Sequence, residues 1–361
     1  MKVAIMGAGL SGLTCAIMLE RHGIYPTIFE KRDRVGDRFI CAESMLSILS
    51  APIADPIRYL SEEFQIYLKP TSHIGELIIH SEHQTASIQE HVGYINIRGR
   101  HEQSFEHQLA EQVKSEITFQ SSYSYEELSH EFTHVVVATG DASYAVKLRN
   151  FREDLSVSLK GATVKGEFER STVQVWLRND WAPKGYAYLL PYSNAEANIV
   201  IAHPDLPAQS EVDTTTLWNR FYEGIQEELG QTLPITDQFQ FTNYPMGICT
   251  HPRIGNTLFV GSCFGSLMPF LGFGQFESML TGIYAAYDLC GLETFEELTK
   301  PLRDSYRHSL TLRRGVEALS NHSFDVMVSG LNGPIGKTLL TRNHVNSLKL
   351  ISYLLRPFVN K

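Results

Sequence analysis

Three glycine clusters and one acid are the residues whose types and spacing most directly suggest chemistry. Gly7, Gly9 and Gly12 stand at GxGxxG spacing, and Glu30 follows 18 residues after Gly12. Without Cβ atoms, Gly7 can turn tightly, Gly9 lets a pyrophosphate approach the backbone, and Gly12 lets a helix pack closely on the preceding strand. A helix starting near Leu10 and Ser11 would aim its free N–H groups and positive dipole end at that pyrophosphate. A carboxylate at Glu30 is placed to hold a ribose hydroxyl. This motif reads as dinucleotide binding and does not by itself separate FAD from NAD. The second cluster is Ala138-Thr139-Gly140-Asp141, and the third runs from Gly261-Ser262 to Gly272 and Gly274. A single nicotinamide-binding unit needs only the first. Three of them, spread along the chain, suggest a long dinucleotide held end to end by backbone amides.

These clusters need strands before them and helices after them. The apolar run 3–6 predicts a buried strand, followed by a helix from about residue 10 and a second strand ending at Glu30. Beyond it the pattern predicts a helix at 43–49 and strands at 64–68, 76–80 and 94–97. A helix is expected over 101–113, where Phe105, Leu109 and Val113 recur at helical spacing, and a strand at 133–138 leading into the second cluster. A β-rich block follows at 162–168, 172–178, 186–190 and 198–202, then a helix at 214–229 and a strand at 239–244. The third cluster joins a strand near 256–260 to a helix at 274–289, and 294–361 reads as mostly helical with a break at 330–336. The expected class is therefore α/β. A discontinuous Rossmann-type nucleotide domain takes residues 1–60, 95–150 and 245–300. A β-rich substrate domain takes 61–94 and 151–244, and a helical C-terminal region takes 301–361.

Composition narrows the function classes. The 361 residues are 43% hydrophobic and 20% charged, with a net charge of −9, which argues against nucleic acid as a partner. No apolar run is long enough for a membrane span, and the chain opens on a strand without a signal-peptide pattern. Cys15, Cys41, Cys249, Cys263 and Cys290 form neither a CxxC pair nor a disulfide framework, so a reducing cytoplasm is expected. After Asp325 the chain has no acid, while Lys337, Arg342, Lys349, Arg356 and Lys361 are basic. Arg342, Lys349 and Arg356 share one helical face beside Val345, Leu348, Ile351 and Leu355. That helix reads either as a membrane-surface or partner-binding element, or as a packed terminal helix with a solvated basic face.

Two further motifs lack the context their chemistry needs. His130-Glu-Phe-Thr-His134 fits HExxH, but zinc would require both histidines on one helix, and the segment runs straight into a predicted strand, so no metal is expected. Gly330 to Thr338 resembles a phosphate-binding loop with one residue too many between the outer glycines and no strand leading into it.

Taken together, the clusters resemble the FAD-dependent oxidoreductases of the p-hydroxybenzoate-hydroxylase-like fold, and within them the geranylgeranyl reductase branch. Lys31 to Ser44, with Arg38, Gly36 and Cys41-Ala42-Glu43, is similar to that branch's segment after the ribose acid. Arg98 or Arg100 ahead of Ser104-Phe105-Glu106 is similar to its Arg–Phe–Asp helix start, and Thr139-Gly140 to its ATG-type strand end. Met268-Pro269 through Gly272, Gly274 and Gly282 resembles its Pro-x-x-Gly-x-Gly turn and following helix. In the family that helix faces the flavin pyrimidine. Two positions depart from the pattern. Ser262 stands where the family has an acid that binds the ribityl chain. Tyr186-Ala-Tyr188-Leu-Leu-Pro191 only partly matches the substrate motif, with Ile199-Val-Ile201 where Gly-x-Gly is expected.

The resemblance implies FAD as cofactor, held by Gly7, Gly9, Leu10, Ser11, Gly12, Glu30, Lys31, Arg38, Arg100, Thr139, Gly140, Gly261, Ser262, Gly272 and Gly274. It places Cys41 near the flavin, where a thiol donates a proton, contacts substrate or simply packs. It places Tyr186, Tyr188 and Pro191 at an apolar, isoprenoid-like substrate, with Phe168, Trp176 and Trp181 as further candidates for an apolar pocket. The expected activity is reduction of that substrate through the flavin. The alternatives are an NAD(P)H-dependent flavin monooxygenase and a non-enzymatic nucleotide- or flavin-binding protein.

Overall fold

A computed structural model of the protein describes residues 1–36, 40–205, 213–333, 349, 351 and 352. Val3–Met6 is apolar and buried at every position, as a parallel strand covered on both faces must be. It sits inside a six-stranded sheet ordered Arg253–Ile254, Thr257–Phe259, His134–Val137, Val3–Met6, Thr27–Phe29, Ile117–Thr118. All pairings are parallel except that of Arg253–Ile254 with its neighbour. Successive side chains point to opposite faces. Val3, Ile5 and Val136 pack beneath the helices Leu10–Arg21 and Gln275–Leu289, while Ala4, Met6, Val135 and Val137 pack with Leu128, Ala145 and Phe259. The two helices touch, with the Thr14 hydroxyl donating to the Met279 carbonyl at 3.2 Å.

A seven-stranded sheet is ordered Ile235–Cys249, Phe151–Lys165, Glu196–Pro204, Tyr186–Pro191, Thr172–Trp176, Glu76–His80, Thr85–Ile88. It is antiparallel but for the pairing of Thr172–Trp176 with Glu76–His80. The helix Thr214–Leu229 lays Leu217, Trp218, Phe221 and Ile225 on one face, against Ala162, Trp176, Leu189 and Ile201. The opposite face presents Leu159, Tyr188, Val200, Phe239 and Phe241, which gather around Cys41. A three-stranded sheet, Cys41–Leu46, Gly93–Arg98 and Ser72–Ile74, is tied to the larger one by the buried Asn198 carboxamide. Asn198 accepts from the Ala42 N–H and donates to the Thr163 hydroxyl at 3.0 Å. The helix Phe295–Glu317 clamps the assembly. Arg303 donates to the Cys249 carbonyl at 2.8 Å, and the Tyr306 hydroxyl to the Asp154 carboxylate at 2.8 Å.

The expected strands at 3–6, 76–80, 94–97, 133–138 and through the β-rich block are present, and the helix Thr214–Leu229 has its predicted bounds. Three expectations are corrected. Residues 43–49 do not form a helix. Cys41–Leu46 is a strand whose backbone is taken up by Gly93–Arg98, placing Cys41 opposite Arg98 and Glu43 opposite Asn96, so long-range pairing overrides local propensity. Residues 64–68 are not a strand. Phe64 ends the helix Pro56–Phe64, which Asp55 caps by accepting the Arg58 N–H at 2.9 Å, with Pro56 at its first position. The helix expected over 101–113 is confined to Phe105–Ala110 behind its Ser104 cap. The expected break at 330–336 begins where the helix Asn321–Leu331 ends, and residues 334–336 lie outside the described residues.

His130 lies in the last turn of the helix Tyr125–Glu131 and His134 opens the strand His134–Val137, so the two belong to different elements. Most of the predicted basic terminal face (Lys337, Arg342, Val345, Leu348, Leu355, Arg356 and Lys361) lies outside the described residues. Among the described residues no helix is long and apolar enough to cross a membrane. None of the five cysteines is in a disulfide.

Candidate functional site

The first glycine loop is built by backbone contact. Gly7 adopts φ +112°, and a Cβ there would stand 2.6 Å from the Ala138 carbonyl oxygen. At Gly12 a Cβ would stand 2.0 Å from the Gly7 carbonyl oxygen, so helix and turn meet at a distance no side chain permits. Gly9 is different, because a Cβ there would meet nothing within 4 Å. Its open side is a cavity of about 290 Å³. The helix Leu10–Arg21 starts from Gly9 with no side chain capping it, so its first N–H groups have no acceptor within the helix. Glu30 is buried behind the loop. Its carboxylate accepts the Ala8 N–H at 2.9 Å and the Arg32 N–H at 2.9 Å, bracing the glycine turn from below.

One cavity joins three kinds of wall. Gly9, Leu10, Ser11, Thr139, Gly140 and Ser262 supply backbone and hydroxyl groups. Gly272, Gly274 and Gln275 bring the start of a second uncapped helix, Gln275–Leu289. Tyr186, Tyr188, Phe239, Phe241, Tyr244 and Met246 supply an aromatic and apolar surface from the seven-stranded sheet. At about 290 Å³ the cavity lies at the small end of the range for small-molecule sites. The glycine loop and the open space beside Gly9 fit a dinucleotide phosphate, and two helix N-termini on one cavity fit a ligand with electron-rich groups at separate places.

The polar groups of the wall are mostly already paired. Arg98 bridges Glu43 at 3.0 Å and Glu106 at 2.8 Å. Burial works against the Arg98 charge, but Glu106 and Glu43 outweigh it and hold the guanidinium protonated. The Tyr186 hydroxyl donates to the Leu271 carbonyl, and the Tyr244 hydroxyl to the Gly140 carbonyl at 3.2 Å. Burial raises the phenols of Tyr186 and Tyr188, so both stay neutral. Arg313 is tied to Glu317 at 3.0 Å and to the Lys184 carbonyl. Gln275 stands apart, since its carboxamide is buried and neither its oxygen nor its nitrogen has a partner among the described residues.

The structure brings Gly9, Leu10, Ser11, Cys41, Thr139, Gly140, Tyr186, Tyr188, Gly261, Ser262, Gly272 and Gly274 to this one cavity. Gly7, Gly12 and Glu30 support it from behind. Lys31 is exposed, Pro191 is buried at a strand end, and neither lines the cavity. Arg100 is turned away to pair with Asp237 at 2.6 Å, and of the two arginines it is Arg98 that reaches the cavity. Arg38 lies outside the described residues.

Phe168, Trp176 and Trp181 are not pocket residues. They pack in the cluster under the helix Thr214–Leu229, on the far face of the sheet. Ile199 and Ile201 point to that same core and Val200 to Cys41, so the strand replacing Gly-x-Gly is filled on both faces. Sequence reading missed Glu43, Glu106, Phe239, Phe241 and Gln275. For Phe239 and Phe241 the alternation of the predicted strand carried a signal, with no indication of which face would be covered.

Comparison with known proteins agrees with this geometry. Residues 5–42 match the model of an NAD(P)-binding Rossmann-like domain. A curated 4,4'-diapolycopen-4-al dehydrogenase from Metabacillus indicus is 49% identical over 43 residues. That match spans 12% of this chain and 9% of that enzyme. Among solved structures, a geranylgeranyl bacteriochlorophyll reductase-like protein from Thermoplasma acidophilum superposes with a TM-score of 0.74 at 16% identity, covering 97% of this chain and 95% of that one. A flavin-dependent brominase superposes with a TM-score of 0.69 at 13% identity, covering 100% and 98%. A flavin-dependent monooxygenase in complex with FAD and substrate superposes with a TM-score of 0.58 at 14% identity, covering 100% and 73%. From its first glycine loop to its C-terminal helices, the chain carries the α/β fold of these geranylgeranyl reductase-like and flavin-dependent proteins.

Proposed function

We propose that the protein is an FAD-dependent oxidoreductase acting on a neutral, apolar substrate, isoprenoid-like in character, which it reduces through the flavin. The observation that carries this reading is the single cavity in which the glycine loop, the two uncapped helix starts and the aromatic wall of the seven-stranded sheet meet. A discontinuous nucleotide-binding unit (1–60, 95–150 and 245–300), a β-rich unit (61–94 and 151–244) and a helical C-terminal region (301–361) are the division of labour that goes with it. Gly9, Leu10, Ser11, Thr139, Gly140 and Ser262 would hold the phosphate-bearing stretch of the cofactor, with Gly7, Gly12 and Glu30 fixing the loop. Gly272, where a Cβ would meet nothing within 4 Å, would let the backbone approach the ring system, while Gly261 and Gly274 let the turn close on Ser11 and Ser266.

Bound FAD supplies hydride and electron transfer. The chain itself excludes water and positions the substrate. Tyr188, Phe239 and Phe241 form a dry surface on which an apolar molecule gains by desolvation. Because Arg98 and Arg313 are already neutralised by Glu43, Glu106 and Glu317, the wall does not call for a charged substrate. Cys41, on the cavity wall opposite Arg98 in its sheet, is the candidate proton donor. NAD(P)H is the proposed electron source, and a reducing cytoplasm suits five cysteines outside any disulfide.

The near-ultraviolet and visible absorbance of the purified protein tests the cofactor. We expect a flavin spectrum as isolated or after incubation with FAD, and a colourless protein after that incubation would overturn the reading. For the flavin-loaded protein reduced anaerobically, reoxidation by an alkene-bearing substrate supports a reductase. Substrate hydroxylation on admitting oxygen indicates a monooxygenase instead.

A further inference from the structure

We propose that the Gln275 side chain is a ligand for the bound flavin ring, hydrogen-bonding through its carboxamide to the ring's imide edge. The assignment rests on the FAD reading above and names a residue that the reading does not need. Gln275 is 4% exposed and borders the main cavity, yet both polar atoms of its carboxamide lack a partner among the described residues. Folded proteins rarely leave a buried amide unpaired, and such a group in a residue that borders a cavity points to a partner that enters it.

The position of Gln275 narrows that partner. It is the first residue of the helix Gln275–Leu289, whose N-cap, Gly274, has no side chain to occupy the free N–H groups of the first turn. The site therefore offers backbone donors and the positive helix end beside a carboxamide that holds one acceptor and one donor side by side. A phosphate has only acceptors and would leave the Gln275 oxygen unpaired. An imide edge, an N–H flanked by carbonyl oxygens, satisfies both carboxamide atoms and gives the backbone N–H groups a carbonyl to bind. The isoalloxazine ring carries such an edge.

A second, smaller chamber also borders Gln275, together with Ser44, Ser50, Phe276 and Glu277, and has a volume of about 20 Å³. That is room for one water, which is the competing partner for the amide.

The test compares wild type with Gln275→Leu and Gln275→Glu, using FAD and ADP as separate probes in calorimetric titrations. ADP shares the adenosine and phosphates of FAD and lacks the ring. Gln275→Leu is expected to weaken FAD binding about tenfold and to leave ADP binding unchanged. The same variant should leave the ligand-free protein at least as stable as wild type, since it replaces an unpaired buried amide with an apolar group of similar size. Gln275→Glu should lower the reduction potential of the bound flavin, because its carboxylate opposes the charge gained on reduction.

Unchanged FAD affinity in Gln275→Leu, an equal loss for FAD and ADP, or a destabilised ligand-free variant would each overturn the assignment. The last of these would mark Gln275 as a structural residue paired to the chamber water. A wild-type chain that binds no FAD overturns the functional reading itself, and this assignment with it.

Discussion

The two halves of the cavity wall are made in opposite ways. Around Gly9 the surface is backbone with short hydroxyl side chains, braced from behind by Gly7 and Gly12 and completed by Thr139, Gly140 and Ser262 from later turns. Across the cavity the surface is side chains, and Tyr186, Tyr188, Phe239 and Phe241 reach it from two strands that are not neighbours in their sheet. A backbone-built wall recognises what every dinucleotide shares and tolerates little change. A side-chain-built wall sets which substrate fits and can be altered one residue at a time.

The largest expected effect breaks this comparison within the backbone half. Gly12→Ala would force a Cβ to 2.0 Å from the Gly7 carbonyl oxygen, between elements with no room to separate. We expect a loss of at least about 3 kcal/mol of stability in chemical denaturation, with loss of FAD binding as a consequence. Gly9→Ala should do the reverse. Its backbone, at φ −92° and ψ −173°, suits any residue, and its Cβ meets open space, so stability should hold or rise by about 0.5 kcal/mol. FAD affinity, read by flavin fluorescence, should still fall at least about tenfold, because the added methyl occupies cofactor space. If both variants lose stability alike, the division between a structural and a binding glycine is wrong.

The same contrast governs what could be read from the sequence. GxGxxG, Ala138–Asp141 and Gly261–Gly274 each act within a strand, a turn and the start of a helix, so local spacing carried them, and all three meet in space. Arg98 and Arg100 show where that ends. They are two residues apart and equally plausible on the page, but only the partners that folding brings, Glu43 and Glu106 for one and Asp237 for the other, decide which faces the cavity. Trp176 and Tyr188 make the same point across a sheet. Both lie on predicted strands, but the helix Thr214–Leu229 covers one face, and nothing local says which. Residues 43–49 carry a helical pattern on the page, yet Cys41–Leu46 is a strand because its partner, Gly93–Arg98, lies about fifty residues away.

An intermediate effect sharpens the boundary between the halves, at the helix Gln275–Leu289. Glu277, in its first turn, is buried with no side-chain hydrogen-bond partner among the described residues, and burial pushes its carboxyl up to about 7 from an ordinary 4.5, with its own backbone N–H opposing. The folded protein then holds a proton that the unfolded chain has released. Stability is fully present below about pH 4.5 and declines as pH rises through about 7, levelling off beyond. Glu277→Gln cannot ionise, so its stability relative to wild type should climb across that window by about 3 kcal/mol at most. Denaturation curves of the two proteins at several pH values would show it. A constant difference across the window would mean that Glu277 ionises as a solvated acid does.

The smallest effect concerns the arginine that the resemblance placed at the cofactor. Arg100 is half-exposed, lies outside the cavity wall, and spends its guanidinium on Asp237, which leans in from the long strand Ile235–Cys249. An exposed pair of this kind contributes less than about 1 kcal/mol and is weakened further by salt. Arg100→Ala should therefore shift the denaturation midpoint only slightly and leave FAD affinity within about twofold of wild type. Repeating the stability comparison at high ionic strength should shrink even that difference. A large loss of FAD binding in Arg100→Ala, with stability intact, would mean that the arginine leaves Asp237 for the cofactor on binding. The cofactor would then draw on a charge that Asp237 holds in this structure.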